Sequence, residues 1–276
     1  MTTTAPSRED LVRALLQRLA DPALQRQWLA PAGTATRHLV MDEVFPPGWA
    51  AAIHDAFPPD ARSFVRRESL KEHKSVSGPL NALPPLLTEV VYAFQDRRIV
   101  ERVGEITGMR ELEPDPLLYA GGLSMMFRGD FLNPHIDNSH DLKRQRYRRL
   151  NLLYYTAPDW TLEDGGNFEL WDPSGHVPRT IVSTANRLVI MCTDRHSLHS
   201  VSPVRSDRPR CCVSNYYFSK QSPTGEDYFH VTSFWGRPEQ PVRRLLGSVD
   251  NFARNIAGRL GFGRGRSRVN VPDKAD

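Results

Sequence analysis

His135, Asp137 and His199, with Arg210 a short way beyond, are the residues of this chain whose types and spacing could do chemistry. Two histidines and one carboxylate that meet on one face of a metal leave the opposite face open. Such a set suits non-haem Fe(II) and keeps positions free for a co-substrate and O₂. The His135-Ile136-Asp137 spacing has a mechanical basis. On a strand, residues i and i+2 point to the same side, so both side chains reach one point. A third ligand must arrive from another strand. His199 stands in Leu198-His199-Ser200-Val201-Ser202-Pro203-Val204, ahead of a second strand-like run from Arg210 to Phe218, and His196 lies close by. A guanidinium at the start of that run can pair bidentately with a carboxylate deep in a pocket. Arg205 and Arg208 compete for that role from a polar loop, where solvation is the default. Alternation puts Arg210, Cys212, Ser214 and Tyr216 on one face of the run.

The elements that must position these side chains change type part-way along the chain. Arg8 to Ala20 carries Leu11, Val12, Leu15, Leu16 and Leu19 at amphipathic-helix spacing, with Ser7 as a candidate N-cap. His38 to Met41 reads as a strand, Gly48 to Ala56 as a helix closed by Phe57-Pro58-Pro59, and Lys71 to Pro84 as a polar, turn-rich loop. Leu86 to Phe94 and Ile99 to Ile106 have helical periodicity. From Leu117 onward short strands dominate, separated by turns such as Gly129-Asp130 and Asp164-Gly165-Gly166. The Gly165-Gly166 pair reads as a tight structural turn. Helices followed by regularly spaced strands predict an α+β fold, with N-terminal helices packed outside a jelly-roll-type β-sandwich. The expected division is a support region over 1–116, a strand core over 117–220 and a C-terminal extension over 221–276, together one compact domain. In that extension Leu245, Leu246, Val249, Phe252, Ile256 and Leu260 recur at helical spacing beside arginines. They predict a basic amphipathic helix that docks on the barrel or meets an anionic membrane or partner.

Five segments taken in order resemble one known family. They are Asn133-Pro134-His135-Ile136-Asp137-Asn138; Leu153 to Trp160; Glu163 to Trp171; Asn186 to Met191; and His199 with Pro203-Val204 and Arg210. Together, from Met125 to Phe218, they resemble the double-stranded β-helix core of the Fe(II)/2-oxoglutarate oxygenases, in the prolyl-4-hydroxylase-like branch. The resemblance implies His135, Asp137 and His199 as metal ligands, His199 being preferred to His196 because Val201 and Pro203-Val204 follow it as in the family. It implies Arg210 as the residue holding the far carboxylate of 2-oxoglutarate, with the Tyr155 hydroxyl beside it. Phe127 would line the pocket where relatives carry tyrosine. Asn138, Asn151, Ser214 and Tyr216 are the candidate substrate-pocket residues. Arg148 and Arg149 belong to a charge-rich run, Lys143 to Arg149, whose ordinary reading is a solvated loop, although beside a metal it could grip an anionic substrate. The cofactors implied are Fe(II), 2-oxoglutarate and O₂, with ascorbate as a stimulant. The implied reaction is hydroxylation of an aliphatic C–H, coupled to conversion of 2-oxoglutarate to succinate and CO₂. Halogenating relatives lack the carboxylate that Asp137 supplies. The substrate class stays open among a peptidyl prolyl residue, an amino acid, a natural product and an envelope sugar. A catalytically silent metal-binding barrel is the rival of another class.

Charge, composition and cysteines set the remaining bounds. The chain has 276 residues, 39% of them hydrophobic and 25% charged, an ordinary globular balance. Its net charge of +4 is unevenly placed: residues 243–268 hold seven arginines against one acid, which leaves the first 242 residues close to neutral. A nucleic-acid enzyme would carry its basic surface around the active site, so this distribution argues against nucleic acid and against a demethylase of alkylated bases. No apolar run is long enough to span a bilayer. Three cysteines, two of them adjacent, give no disulfide framework, and a reducing cytoplasm is the expected compartment. A monomer or homodimer acting on a small-molecule or peptidyl substrate is expected.

Overall fold

The computed structural model describes residues 5–31, 33–172, 178–235 and 237. In chain order the elements are α1 (Arg8–Leu19), α2 (Pro22–Leu29), β1 (His38–Met41), α3 (Pro47–Asp55), β2 (Phe64–Glu68), β3 (Glu72–Ser77), α4 (Pro85–Ala93) and α5 (Arg97–Thr107). Then come β4 (Gly122–Met126), β5 (Phe131–Ile136), β6 (Tyr147–Tyr155), β7 (Phe168–Leu170), β8 (Arg179–Ile181), β9 (Arg187–Cys192), β10 (His199–Val201), β11 (Arg210–Ser219) and β12 (Ser233–Phe234). The twelve strands form one antiparallel sheet, ordered β1-β9-β6-β11-β4-β3-β5-β10-β7-β8, with β2 added to β3 and β12 to β5.

Period-two patterning divides the side chains of the central strands between two layers. Leu150, Leu152 and Tyr154 of β6, Leu188 and Ile190 of β9, and Cys211, Val213 and Tyr217 of β11 join the helices in the main hydrophobic core. Their neighbours Leu153, Tyr155, Val189, Met191 and Cys212 face the other way and pack with Phe168, Leu170 and Ile181. The helices close the first layer: α4 packs on β11, α2 on β1, and α1 against α4 and α5. α1 starts where Ser7 and Asp10 form a reciprocal capping box, and α5 ends on Gly108 in the left-handed region, at φ 69°. Burying Ile99, Val100, Val103 and Ile106 on one face of α5 contributes about 1.5–3 kcal/mol each.

Two sequence expectations are corrected, and one helix is new. The stretch Lys71 to Pro84 is not all loop, because β3 occupies Glu72–Ser77 and bridges β4 and β5. Its burial alternates only weakly, which hid it. α2, which follows its Asp21 N-cap, was not anticipated as a helix separate from the first. The charge-rich run ends inside β6 rather than in a solvated loop, since Tyr147 and Arg148 are both buried. The expected helix over Leu245 to Leu260 and the basic end beyond it lie outside the described residues. Among the described residues no helix is long and apolar enough to cross a membrane.

Candidate metal centre

Strand register brings the two histidines together. β5 and β10 are antiparallel, and His199 stands directly opposite His135, so their rings lie 4.1 Å apart between centroids. Opposed residues in such a pair have Cβ atoms about 4.5–5.5 Å apart, which suits two ligands of one ion. Asp137 follows the last residue of β5 and swings its carboxylate between them, with Oδ1 3.7 Å from His135 Nε2 and Oδ2 3.8 Å from His199 Nε2. The three ligand atoms lie within 4.8 Å of one another, and no other such group of histidine, cysteine and acid side chains occurs among the described residues.

Hydrogen bonds fix which ring nitrogens are available. His135 Nδ1 is 3.0 Å from the Asn133 carbonyl and His199 Nδ1 is 2.9 Å from the Ser197 carbonyl. A carbonyl can only accept, so each Nδ1 carries the proton and each Nε2 presents a lone pair toward Asp137. Burial pushes the His135 imidazolium down to about 3, with the neighbouring His199 adding to the effect and Asp137 opposing it. Burial lowers His199 in the same way. Both rings are therefore neutral at neutral pH, the form a metal requires. Burial by itself would raise Asp137, but the Arg148 guanidinium, followed by the two histidines, holds it well below the usual carboxylate range. Arg148 Nη1 lies 3.2 Å from Asp137 Oδ2 in an ion pair whose angles are not those of a hydrogen bond, so this buried oxygen keeps an uncommitted lone pair.

These three side chains open on a cavity of about 380 Å³, and Arg210, Cys212, Ser214 and Tyr216 line it together, as their shared strand face requires. Asn138 and Asn151 line it as well. Asn151 is 3% exposed and its Oδ1 has no hydrogen-bond partner. Arg210 is 3% exposed and forms no ion pair among the described residues; its Nε donates to Ser183 Oγ at 3.3 Å. Ser183 in turn donates to the Gly166 carbonyl. Tyr155 is fully buried behind the cavity wall, with the Arg210 guanidinium 4.8 Å from its ring centre and its hydroxyl without a partner. A buried cation with no acid and a buried hydroxyl with no acceptor beside it fit a carboxylate brought in by a ligand. Three neutral or anionic donors converging on one point fit a divalent ion.

His196 is exposed in the turn before β10 and takes no part in the cluster. Arg208 reaches out to the carbonyls of Pro158 and Asp159, and Arg205 is exposed. Phe127 does not line the cavity. Gly122, Ser124 and Met126 do, and one step further alternation turns Phe127 to pack against the main core.

The sequence raised Arg148 only within a run read first as a solvated loop, and Thr232, Phe234 and Arg237 not at all. Arg148 faces inward because β6 carries a bulge: Tyr217 pairs with Leu150 and Phe218 with Arg148, which leaves Arg149 unmatched on β11. Unbroken alternation from Asn151 would have selected Arg149 instead. Phe234, on β12, stacks on His135 at 5.1 Å with an interplanar angle of 20°, and Thr232 joins it on the cavity wall. On the far side of His199, Ser200 accepts from Trp171 Nε1 and donates to Glu169, which is paired with Arg237 at 2.7 Å. Only contacts distant in sequence reveal these roles. A wider groove of about 900 Å³ along α5 contains none of these residues.

Comparison with known proteins agrees with this geometry. Residues 121–218 match the family model of the 2OG-Fe(II) oxygenase superfamily. Over those residues the chain is similar to a 2OG-Fe(II) oxygenase core. Its kind of enzyme is thus a 2-oxoglutarate-dependent non-haem iron dioxygenase, with Fe(II) as metal and 2-oxoglutarate and O₂ as co-substrates. The fold is similar to a Pseudomonas putida prolyl-4-hydroxylase, with a TM-score of 0.52 and 14% identity, over 72% of this chain and 98% of that one. It is also similar to a prolyl hydroxylase from Trichoplax adhaerens solved with a peptide fragment of the hypoxia inducible factor oxygen degradation domain (TM-score 0.53, 13% identity, 77% of this chain and 96% of that one). A prolyl 4-hydroxylase from Phytophthora capsici matches with a TM-score of 0.53 and 18% identity, over 94% of this chain and 79% of that one. No curated protein matches the chain by sequence.

Proposed function

We propose that this oxygenase hydroxylates an aliphatic C–H of a small molecule or a peptidyl prolyl residue, with His135, Asp137 and His199 as its iron ligands. In the overall reaction R–H, O₂ and 2-oxoglutarate give R–OH, succinate and CO₂, so one atom of O₂ enters R–OH and the other the new carboxylate of succinate. Bound iron supplies the activation of O₂; the chain's residues supply everything around it. The two neutral imidazoles and the Asp137 carboxylate would hold the ion and leave the cavity side open to co-substrate and O₂. Arg210, held by Ser183, fixes the far carboxylate of 2-oxoglutarate, and Tyr155 donates its free hydroxyl to it. Asn138, Asn151, Ser214 and Tyr216 shape the space where substrate lies. Met126, Leu153 and Phe168 supply apolar wall that limits water near the reacting carbon. With Asp137 present, no ligand position is given up to a halide, which favours hydroxylation.

The observation that carries this reading is a buried His–Asp–His cluster opening on a cavity whose wall holds an uncompensated arginine. Its test is 2-oxoglutarate turnover by purified protein with Fe(II) and ascorbate, followed as succinate across a panel of peptides and metabolites. Fe(II)-dependent succinate formation, stimulated by one of them with matching gain of oxygen, is the expected result. Metal binding without any succinate would leave a sensor or interaction module in its place.

A further inference from the structure

The charges around the cavity do not balance once the proposed co-substrate is in place. Four cations line it (Arg67, Lys74, Arg148 and Arg210) against two carboxylates, Glu72 and Asp137. Lys74 and Glu72 pair with each other at 3.0 Å. Under the function proposed above, on which this inference rests, Arg210 takes the far carboxylate of 2-oxoglutarate. The charge of Asp137 goes to the metal along with the near carboxylate. Iron(II) and the 2-oxoglutarate dianion cancel, so two positive charges remain, on Arg148 and Arg67.

Their placement differs in a useful way. The Arg148 side chain is only 4% exposed, its Nε has no hydrogen-bond partner, and Asp137, the one residue whose charge the metal claims, is its only ion-pair partner among the described residues, with the buried Asp115 acting on it from further off. It lies against the Tyr216 ring at 4.3 Å and cannot turn away to solvent. Arg67 is exposed on β2 and has no ion-pair partner among the described residues. A neutral carbonyl would satisfy some of the N–H groups of Arg148 yet leave its charge uncompensated in a buried site, where desolvation is heavily penalised. An anion would remove that penalty. The outer arginine would raise the local concentration of such a ligand before it reaches the inner one. The hairpin that carries Arg67 is held in place, because Arg66 clamps the buried Asp130 bidentately with both contacts at 2.7 Å.

We infer that the substrate of this enzyme carries its own anionic group, a carboxylate or a phosphate, seated on Arg148 with Arg67 at the rim, and offers the C–H beyond that group to the metal. The anion also sets which carbon is presented, since a bidentate guanidinium fixes orientation as well as distance.

The test uses full-length protein loaded with redox-inert Zn(II) and 2-oxoglutarate, so that nothing turns over. Acetate, inorganic phosphate and neutral N-acetylprolinamide are the probes, followed by ligand-observed NMR, with the 2-oxoglutarate methylene signals reporting whether it stays bound. At least one anion is expected to bind without displacing 2-oxoglutarate. Which of the two binds distinguishes carboxylate from phosphate. Arg67→Glu should weaken that anion at least five-fold, while Arg62→Glu, at an exposed arginine outside the cavity wall, should not. Arg148→Lys, checked for an unchanged melting curve, should weaken it at least three-fold. The inference is overturned if neither anion binds the loaded protein, if the anion merely displaces 2-oxoglutarate, if N-acetylprolinamide binds as tightly, or if Arg62→Glu acts as strongly as Arg67→Glu. Failure of the underlying function is separate and shows as absence of succinate formation by the Fe(II) protein.

Discussion

Single side chains at this site can be separated by what each loses. His135→Ala, Asp137→Ala and His199→Ala should each abolish both bound iron and turnover while the protein stays folded, because the hydrophobic layers do not depend on the metal. His196→Ala should keep both, and metal content by elemental analysis beside a melting curve decides the matter. For the co-substrate, Arg210→Ala removes one partner of a buried charge pair, a loss of about 2 to 5 kcal/mol, so 2-oxoglutarate should bind tens-fold more weakly or worse. Arg205→Ala and Arg208→Ala should leave its dissociation constant nearly unchanged, and equal loss in all three would reassign the carboxylate. The convergence of these side chains was legible in sequence because strand geometry is strict: His-x-Asp forces one direction on two side chains, and alternation from Arg210 selects Cys212, Ser214 and Tyr216. The inward turn of Arg148, as against Arg149, was not legible. Its direction depends on a one-residue bulge at Arg149, which only the pairing with β11 defines.

Among the elements, the turn before β7 shows how backbone conformation supports the pocket. Gly165 has φ 66°, and a Cβ there would stand 2.0 Å from the Pro203 carbonyl oxygen. The next glycine, Gly166, has φ 60° and comes so close to Arg210 that a Cβ would meet its Cδ at 3.0 Å. Gly165→Ala should therefore cost more than ~1 kcal/mol, with a melting temperature lower by several degrees. Gly129→Ala, with φ 87° but open space around it, should cost less, and equal losses would mean that conformational strain rather than the close approach dominates. Helices α1, α3, α4 and α5 were visible from apolar periodicity and flanking prolines, since each hides one face. β3 was not, because an inner strand with a mostly half-exposed, polar composition looks like a loop until its neighbours are known. β12 was hidden for a related reason: two residues give no period, and only pairing with β5 makes them a strand.

At the scale of the whole molecule, six histidines have been folded into surroundings that disfavour their charge. Burial is the first cause for His38, His54, His135, His140, His199 and His230, each lowered from the ordinary 6.5. The unfolded chain takes up protons that the folded chain refuses. Stability is therefore complete above about 6.5 and declines as pH falls toward the folded values, about 3 for His135. Carboxylates held low, such as Asp137, push the same way at lower pH. Metal-free protein should melt progressively lower between pH 7 and pH 5, and a flat profile across that interval would contradict the burial of these rings. The pairing of Glu169 with Arg237 bears on where this enzyme can be divided. Glu169 is 7% exposed, bonded to the residue next to His199, and its counter-charge comes from the last residue the structure describes. A polypeptide trimmed to 121–218 would lose that arginine, the Phe234 cover of His135 and the strand that carries Arg67, leaving an orphaned carboxylate at the base of the metal site. The signature by which the family is recognised is therefore not a transplantable cassette, and grafting experiments must carry both flanks with it.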